Sequence, residues 1–481
     1  MSVLLYQFHV KDDQGSVMSV GPSHPDFHQV LFEHFKDKDY FKANGSLWDT
    51  MATNIYRTKD GRYYHIHGSM NSKPTKEMLG MPNSQPKADM TADEAWPLYQ
   101  EAVAKFDAKE LDALANDTYQ QAGTICNTAE EFKATEQYRA NAHVNLFETH
   151  HIQDGTPARW WARADQGSVA RPLAGLKVLD LTRIIAAPAV TRTLAEYGAS
   201  VLRVTAPHLP DMTVLHPDLQ SGKWNCELDL RKDQDVQRLH ALVEEADVVV
   251  TGYRPYHLDK YGLGKDDLLA VAQRRGRGMV ICRENCYGWN GPWQGRIGWQ
   301  QISDAVCGVS RSFAEAVGAK GEAITPVFPN SDFCTGTAGA VGVMQALMDQ
   351  AKQGGSYVVD LALNYYSVWL TDHVGTYEDA VWQDLWLAKG QPKLHHHQHM
   401  MILLPIYLGL LMQHSRHLFK PEYFVTEPLL DGKTALTLLR PVVAFSGATQ
   451  PGFHIKPRGN GTDEPYWPMD LSTQVITKAD A

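Results

Sequence analysis

From Leu176 to Gly288, short unbroken apolar runs alternate with longer stretches whose apolar positions recur every three or four residues. The runs are LKVLDLT, ASVLRVTAP, DVVVTGY and GMVICRENCYG. Between them AVTRTLAEYG, KDQDVQRLHALVEEA and KDDLLAVAQRR read as helices, the first opened by Pro188. Continuous apolar strands alternating with helices predict a parallel sheet covered on both faces. Ligands of such sheets lie beyond the carboxyl ends of the strands. The loops after those runs are therefore where chemistry is sought.

The pattern before this region is different. NIYRTKDGRYYHIHGSM holds a Lys59-Asp60-Gly61 turn between aromatic-rich strands, a hairpin signal. ADEAWPLYQEAVAKF, AKELDALANDTYQQA and TAEEFKATEQYRANAH read as helices, and Thr128 with Glu131 forms a capping-box pattern. These features divide the chain into a small α+β unit over 1–152, a linker over 153–170, a doubly covered α/β domain over 171–364, and a C-terminal linking and wrapping segment over 365–481. MMILLPIYLGLLM (Met400–Met412) is too short to span a bilayer, contains Pro405, and reads as a buried helix.

Composition narrows the function classes. The 481 residues are 43% hydrophobic, enough for a large core, and the formal net charge is −10 with no long basic run. That balance argues against nucleic acid, since phosphate neutralisation needs clustered Lys and Arg. Six scattered Cys form no CxxC pair, so reduced thiols and a cytoplasmic setting are expected, without excluding a mitochondrial one. MSVLLYQFHVKDDQG does not read as a signal peptide, nor the terminal ADA as a peroxisomal address. The stretch after the first run, LTRIIAAPAVTRTLAEYG, lacks the dinucleotide glycine fingerprint, which argues against NAD and FAD. A P-loop is absent, and GLGKDD reads as a turn before a helix. Four His lie in LHHHQH (Leu394–His399), with no Cys or acid beside them in sequence. His65 with His67, and His150 with His151, also lack a third ligand, so no metal is assigned.

VFPNSDFCTGTAGAVG (Val327–Gly342) sets one acid, Asp332, among small and apolar residues before a helix-like run. Ser331 or Asp332 could cap that helix. Asp332 could instead be a nucleophile, its ionised form favoured by the helix N-terminus.

Several separated motifs settle the weighting. PLAGLKVLDLTRIIAAPAVTRTLAEYGASVLRVTAP, WNCELDLRKDQDVQRLHALVEEADVVVTGYRPYHLDKYGLGKDDL, CYGWNGPWQGRIGWQQISDAVCGV and PNSDFCTGTAGAVGVMQALMDQAKQGGSYVVDLAL, over about Arg171 to Asn364, resemble in order the family III CoA-transferases, with formyl-CoA and carnitine CoA-transferases and the related α-methylacyl-CoA racemases. The resemblance implies a Rossmann-like sheet, a homodimer, no membrane or metal, and an acyl-CoA thioester and a carboxylic acid as substrates. Asp332 falls at the family's catalytic Asp, which carries CoA through an aspartyl intermediate. Arg183, Ile184 and Ile185 match the CoA-lining loop after the first run; Arg203 and Arg254 follow later runs and are added as CoA contacts. Gly336 and Gly339 would let backbone approach the substrate and support an oxyanion. Racemases of the family carry Gly-His-Asp where this chain has Gly298-Trp299-Gln300; Trp cannot shuttle a proton, so transfer is favoured over epimerisation. YRTKDGRYYHIHG and the segment from Ala122 to Ile152 resemble the family's small domain, which normally follows the large one and here precedes it. That order, with no evident glycine-rich shielding loop, leaves a non-catalytic acyl-CoA-binding relic as the rival reading.

Overall fold

The structure is a computed structural model that describes residues 7–11, 16–20, 27–35, 46–162, 171–447 and 449–480. Strands β1 (Gln7–Lys11) and β2 (Val17–Val20) pair antiparallel. A compact unit then forms around β3 (Asn54–Arg57), β4 (Tyr63–Ile66) and β5 (Gly123–Ile125), an antiparallel sheet in that order. The hairpin turns where expected: Gly61 takes φ 78°, and Thr58 Oγ1 donates to Asp60 Oδ1 at 2.6 Å. Tyr56, Tyr64 and Trp48 pack there against Tyr99 of the helix Ala92–Val103. Both reciprocal bonds of the Thr128–Glu131 capping box are present.

The large sheet has seven strands. β6 (Glu148–Ile152) is its antiparallel edge; β7 (Lys177–Leu181), β8 (Ser200–Thr205), β9 (Lys223–Glu227), β10 (Val248–Thr251), β11 (Val280–Asn285) and β12 (Ser356–Ala362) are parallel. The order is β6-β12-β11-β10-β7-β8-β9, so the chain reverses its direction of growth between β7 and β10. Alternation assigns the two faces. Val178, Val201, Val248 and Val250 meet the helix Ala186–Glu196 and the long helix Asn330–Gln353. Leu179, Leu202, Val249 and Ile281 meet the helices Asp233–Glu245 and Lys265–Arg274. Each such side chain contributes about 1.5–3 kcal/mol by leaving water. Beneath the first loop, Lys223 is fully buried and donates to Asp180 Oδ2 at 2.9 Å, Pro188 O at 2.9 Å and Thr191 Oγ1 at 2.7 Å, fixing the start of the helix Ala186–Glu196 over β7.

Three sequence expectations need correction. The boundary at 152 fails at both ends: β1 pairs with β14 (Thr434–Leu439), itself paired with β13 (Phe424–Pro428), while β6 joins the large sheet. Strand edges take whatever partner the finished fold offers, and neither partner is local. The C-terminal segment is more than a wrapping: Ile455, Trp467 and Ile476 enter the core beside Leu239 and Leu242. Of the linker, residues 163–170 lie outside the described residues, and Trp161 packs against the sheet core. The apolar run is a helix, Met400–His414, but only Leu403 is buried; Met401 and Met412 are exposed. Among the described residues, no helix is long and apolar enough to cross a membrane.

Candidate active site

The carboxyl ends of the sheet open into a cleft of about 680 Å³. Its floor is the ends of β7, β8, β10 and β11; the long helix starts at one wall, and Ser69, Met70 and Gln121 of the small unit form another. The structure brings Asp332, Arg183, Ile184, Ile185 and Arg254 together in this cleft.

Asp332 is the third residue of the long helix, not the residue before it. Pro329 occupies the N-cap and no side chain caps the helix, so neither Ser331 nor Asp332 has the capping role. The carboxyl is buried at 9% exposure and faces the cleft. Burial, with the acids Glu284 and Asp304 adding to it, pushes its pKa well above the ordinary range. This corrects the expectation of an anion held by the helix N-terminus. A dipole contributes about 0.3–1 kcal/mol and rarely 2, less than burial beside two like-charged groups removes. Burial also lifts Asp304 to about 7, against hydrogen bonds from Gln300 and Ser331. Burial alone lifts Glu284 to about 8. Asp332 thus sits in a pocket of three acids that resist ionisation.

The cations lie elsewhere in the same cleft. Arg183 donates to Pro210 O. Burial and then the neighbouring Arg183 lower the pKa of Arg254. Among the described residues, neither guanidinium has a carboxylate within ion-pair distance. Ile184, between Arg183 and Ile185, holds φ 73°. A β-branched residue there is strained by about 1–3 kcal/mol, a cost that persists where the surroundings over-determine the backbone. Ile184, Ile185 and Phe333 pack together at the cleft wall.

Three expected contacts point elsewhere. Arg203 is 1% exposed and bonds Asp211 Oδ2 at 2.7 Å, Asn460 Oδ1 at 3.1 Å and Thr182 O at 3.4 Å, tying the C-terminal segment to the sheet. Gly336 and Gly339 face protein rather than substrate. A Cβ at Gly336 would stand 2.5 Å from Ala189 Cβ and 2.7 Å from Ala186 O; one at Gly339 would stand 2.3 Å from Leu361 Cδ1. They let the long helix lie against the helix Ala186–Glu196. Gly336→Val is expected to lower stability by about 1–3 kcal/mol through overpacking. A thermal melt coincident with the parent's would show that the helices do not meet so closely.

Other cleft residues had weaker signals. Trp299 stacks on His67 with centroids 5.2 Å apart and planes 6° apart, and its Nε1 donates to Ser69 Oγ at 3.1 Å. Gln121 Oε1 is buried without a hydrogen-bond partner among the described residues. Glu284, next to last in β11, places an acid at the end of an otherwise largely apolar run. The His395 and His396 rings both bond Glu322, so an acid does adjoin that cluster, brought from far along the chain.

A model described as CoA-transferase family III matches residues 173–400. The acetyl-coenzyme A transferase nodX of Hypoxylon pulicicidum is 43% identical over 489 residues, covering 100% of this chain and 80% of that protein. An acyl-CoA transferase of Gibberella moniliformis is 38% identical over 338 residues, covering 69% of this chain and 58% of that one. The crystal structure of Rv3272 from M. tuberculosis aligns with TM-score 0.45 at 23% identity, over 61% of this chain and 97% of the other.

Proposed function

Because this chain belongs to CoA-transferase family III, we propose that it moves CoA from an acyl-CoA to a carboxylic acid through Asp332. The observation that carries this reading is the placement of Asp332, at a helix start, in one cleft with two guanidinium groups that have no carboxylate partner among the described residues. Arg183 and Arg254 suit the diphosphate and 3′-phosphate of CoA, which bring the missing anions. Ile184 and Ile185 offer apolar wall to the pantetheine arm.

Asp332 attacks in its ionised form, which its raised pKa makes the minor one and which requires prior loss of its proton to solvent. The carboxylate adds to the thioester carbonyl, and the C–S bond breaks to give a mixed anhydride and CoA thiolate. The thiolate attacks the aspartyl carbonyl of the anhydride. The donor acid leaves as carboxylate, and Asp332 carries CoA as a thioester. The acceptor carboxylate attacks that carbonyl and expels the thiolate, forming a second anhydride. The thiolate attacks the acceptor's acyl carbon and restores the Asp332 carboxylate. No proton is consumed. Both intermediates are open to hydrolysis, and the small unit with Ser69, Met70 and Gln121 over the cleft supports their protection from water.

Epimerisation is the weaker reading. It needs a base beside the α-carbon, and Trp299 occupies the racemase position. His67 does not replace that base. Burial pushes it down to about 3, Nδ1 accepts from the Ser69 N–H at 2.9 Å, and Nε2 meets Gln301 at 3.3 Å. The test is a grid of acyl-CoAs against carboxylic acids, with CoA transfer read by mass. Transfer in at least one pair is expected. CoA binding without transfer in any pair would favour the relic, and solvent deuterium at the α-carbon at a comparable rate would favour the epimerase.

A further inference from the structure

Glu284 has no role in the scheme above, yet it lines the same cleft as Asp332. It is the penultimate residue of β11, at the carboxyl edge of the sheet. Its Oε2 lies 3.7 Å from where a Cβ on Gly252 would stand, which puts the carboxyl beside the end of β10. Among the described residues, no hydrogen-bond donor reaches this carboxyl. A carboxyl that no protein donor reaches is left to solvent or to a ligand. Glu284 is half-buried, its open side toward the cleft.

We propose that Glu284 takes part in the exchange as a carboxylic acid, donating the hydrogen bond that seats the acceptor's carboxylate beside the Asp332 acyl group. This rests on the transfer reading above and extends it to a second residue. Once Asp332 is a thioester it carries no charge, so the incoming carboxylate is the anion to be accommodated there. A neutral Glu284 gives it a donor without a second charge; an ionised Glu284 gives repulsion and no donor. The groups around Glu284 favour the neutral form. Asp332 faces it from the long helix, and the Cys282 and Cys286 thiols from its own strand and the residues after it, themselves pushed up by burial first and by Glu284 among lesser causes. Tyr253 and Arg254 past β10 and Arg183 past β7 line the cleft, but burial alone sets the Glu284 shift, up to about 8, and no cation offsets it.

The test compares wild type, Glu284→Gln and Glu284→Leu, following kcat/KM for the acceptor acid against pH at saturating acyl-CoA. Wild type should fall about tenfold per pH unit above roughly 8. The Gln amide donates without titrating, so that limb should vanish. Below about pH 8 Glu284→Leu should be lower by roughly tenfold or more, the effect of a lost hydrogen bond to a charged group, and the gap should close as wild type falls at higher pH, with the acyl-CoA KM unchanged. A Gln variant that keeps the wild-type limb, or a Leu variant equal to wild type below about pH 8, overturns the proposal. A melting series separates this from failure of the transfer reading. The folded protein holds the Glu284 proton between the ordinary value of 4.5 and about 8, where the unfolded chain has lost it. Wild-type stability should therefore decline relative to Glu284→Gln as pH rises through that window. Parallel melting curves across it also overturn the proposal, whether or not transfer is seen; divergent curves without any transfer leave Glu284 protonated and sink the transfer reading instead.

Discussion

Asp332→Asn is expected to slow CoA transfer by roughly 10⁴–10⁶-fold, the loss typical of a removed covalent nucleophile. An amide cannot form the anhydride. The fold should hardly notice. Asn matches Asp in size, no cap is lost because Pro329 occupies that position, and a buried acid with two acidic neighbours is replaced by a neutral group. The melting temperature should stay within a few degrees of the parent or rise. Wild-type protein mixed with acyl-CoA and quenched with hydroxylamine should carry a hydroxamate on the peptide containing Asp332. More than about a tenth of the parental rate in the variant would mean that another group carries CoA.

Replacing Arg183 and Arg254 together with Ala should raise the KM for acyl-CoA by about a thousandfold. Each charge-assisted hydrogen bond to a phosphate is worth about 1.5–3 kcal/mol, so each single variant should lose about 10- to 150-fold. Burial first, and then the charge of Arg183, lowers the pKa of Arg254, so the two guanidinium groups repel one another. Removing one therefore relieves the other, and the double variant should lose somewhat less than the product of the singles. The KM for the acceptor acid should hold. High salt should weaken acyl-CoA binding in the parent and barely affect the double variant. An unchanged acyl-CoA KM in the double variant would place the CoA phosphates elsewhere.

The sheet was legible because its signal is local. Unbroken apolar runs spaced by helices leave few other architectures, and the loop after β7 and Asp332 fall in one cleft as that architecture requires. What was not legible depends on direction and on distant partners. Arg203 sits on a strand, but its side chain is taken up by Asp211, in the loop that follows, and by Asn460 in a tail more than two hundred residues away. Gly336 and Gly339 read equally well as room for a substrate or for a helix, and Ala189 and Leu361 supply the answer. The protonation of Asp332 depends on distant partners in the same way. The helix start is visible around residue 330, whereas the opposing acids come from residues 284 and 304.

The four-stranded sheet of β13, β14, β1 and β2 also imposes a timetable on biosynthesis. His9 and Thr437 hydrogen-bond at 2.8 Å across 428 residues, and Phe8, Phe35 and Leu436 share one core. At 5–20 residues per second, the first strand leaves the ribosome on the order of 20–90 s before its partner exists. Through that interval the side of β1 away from β2 is an unpaired edge open to other nascent chains. Closing so distant a contact is slow once both ends are present. A ribosome stalled near residue 420 should therefore carry β1 and β2 still open to protease, and chaperone demand before termination should include these strands as well as the face of the large sheet that awaits Ile455, Trp467 and Ile476.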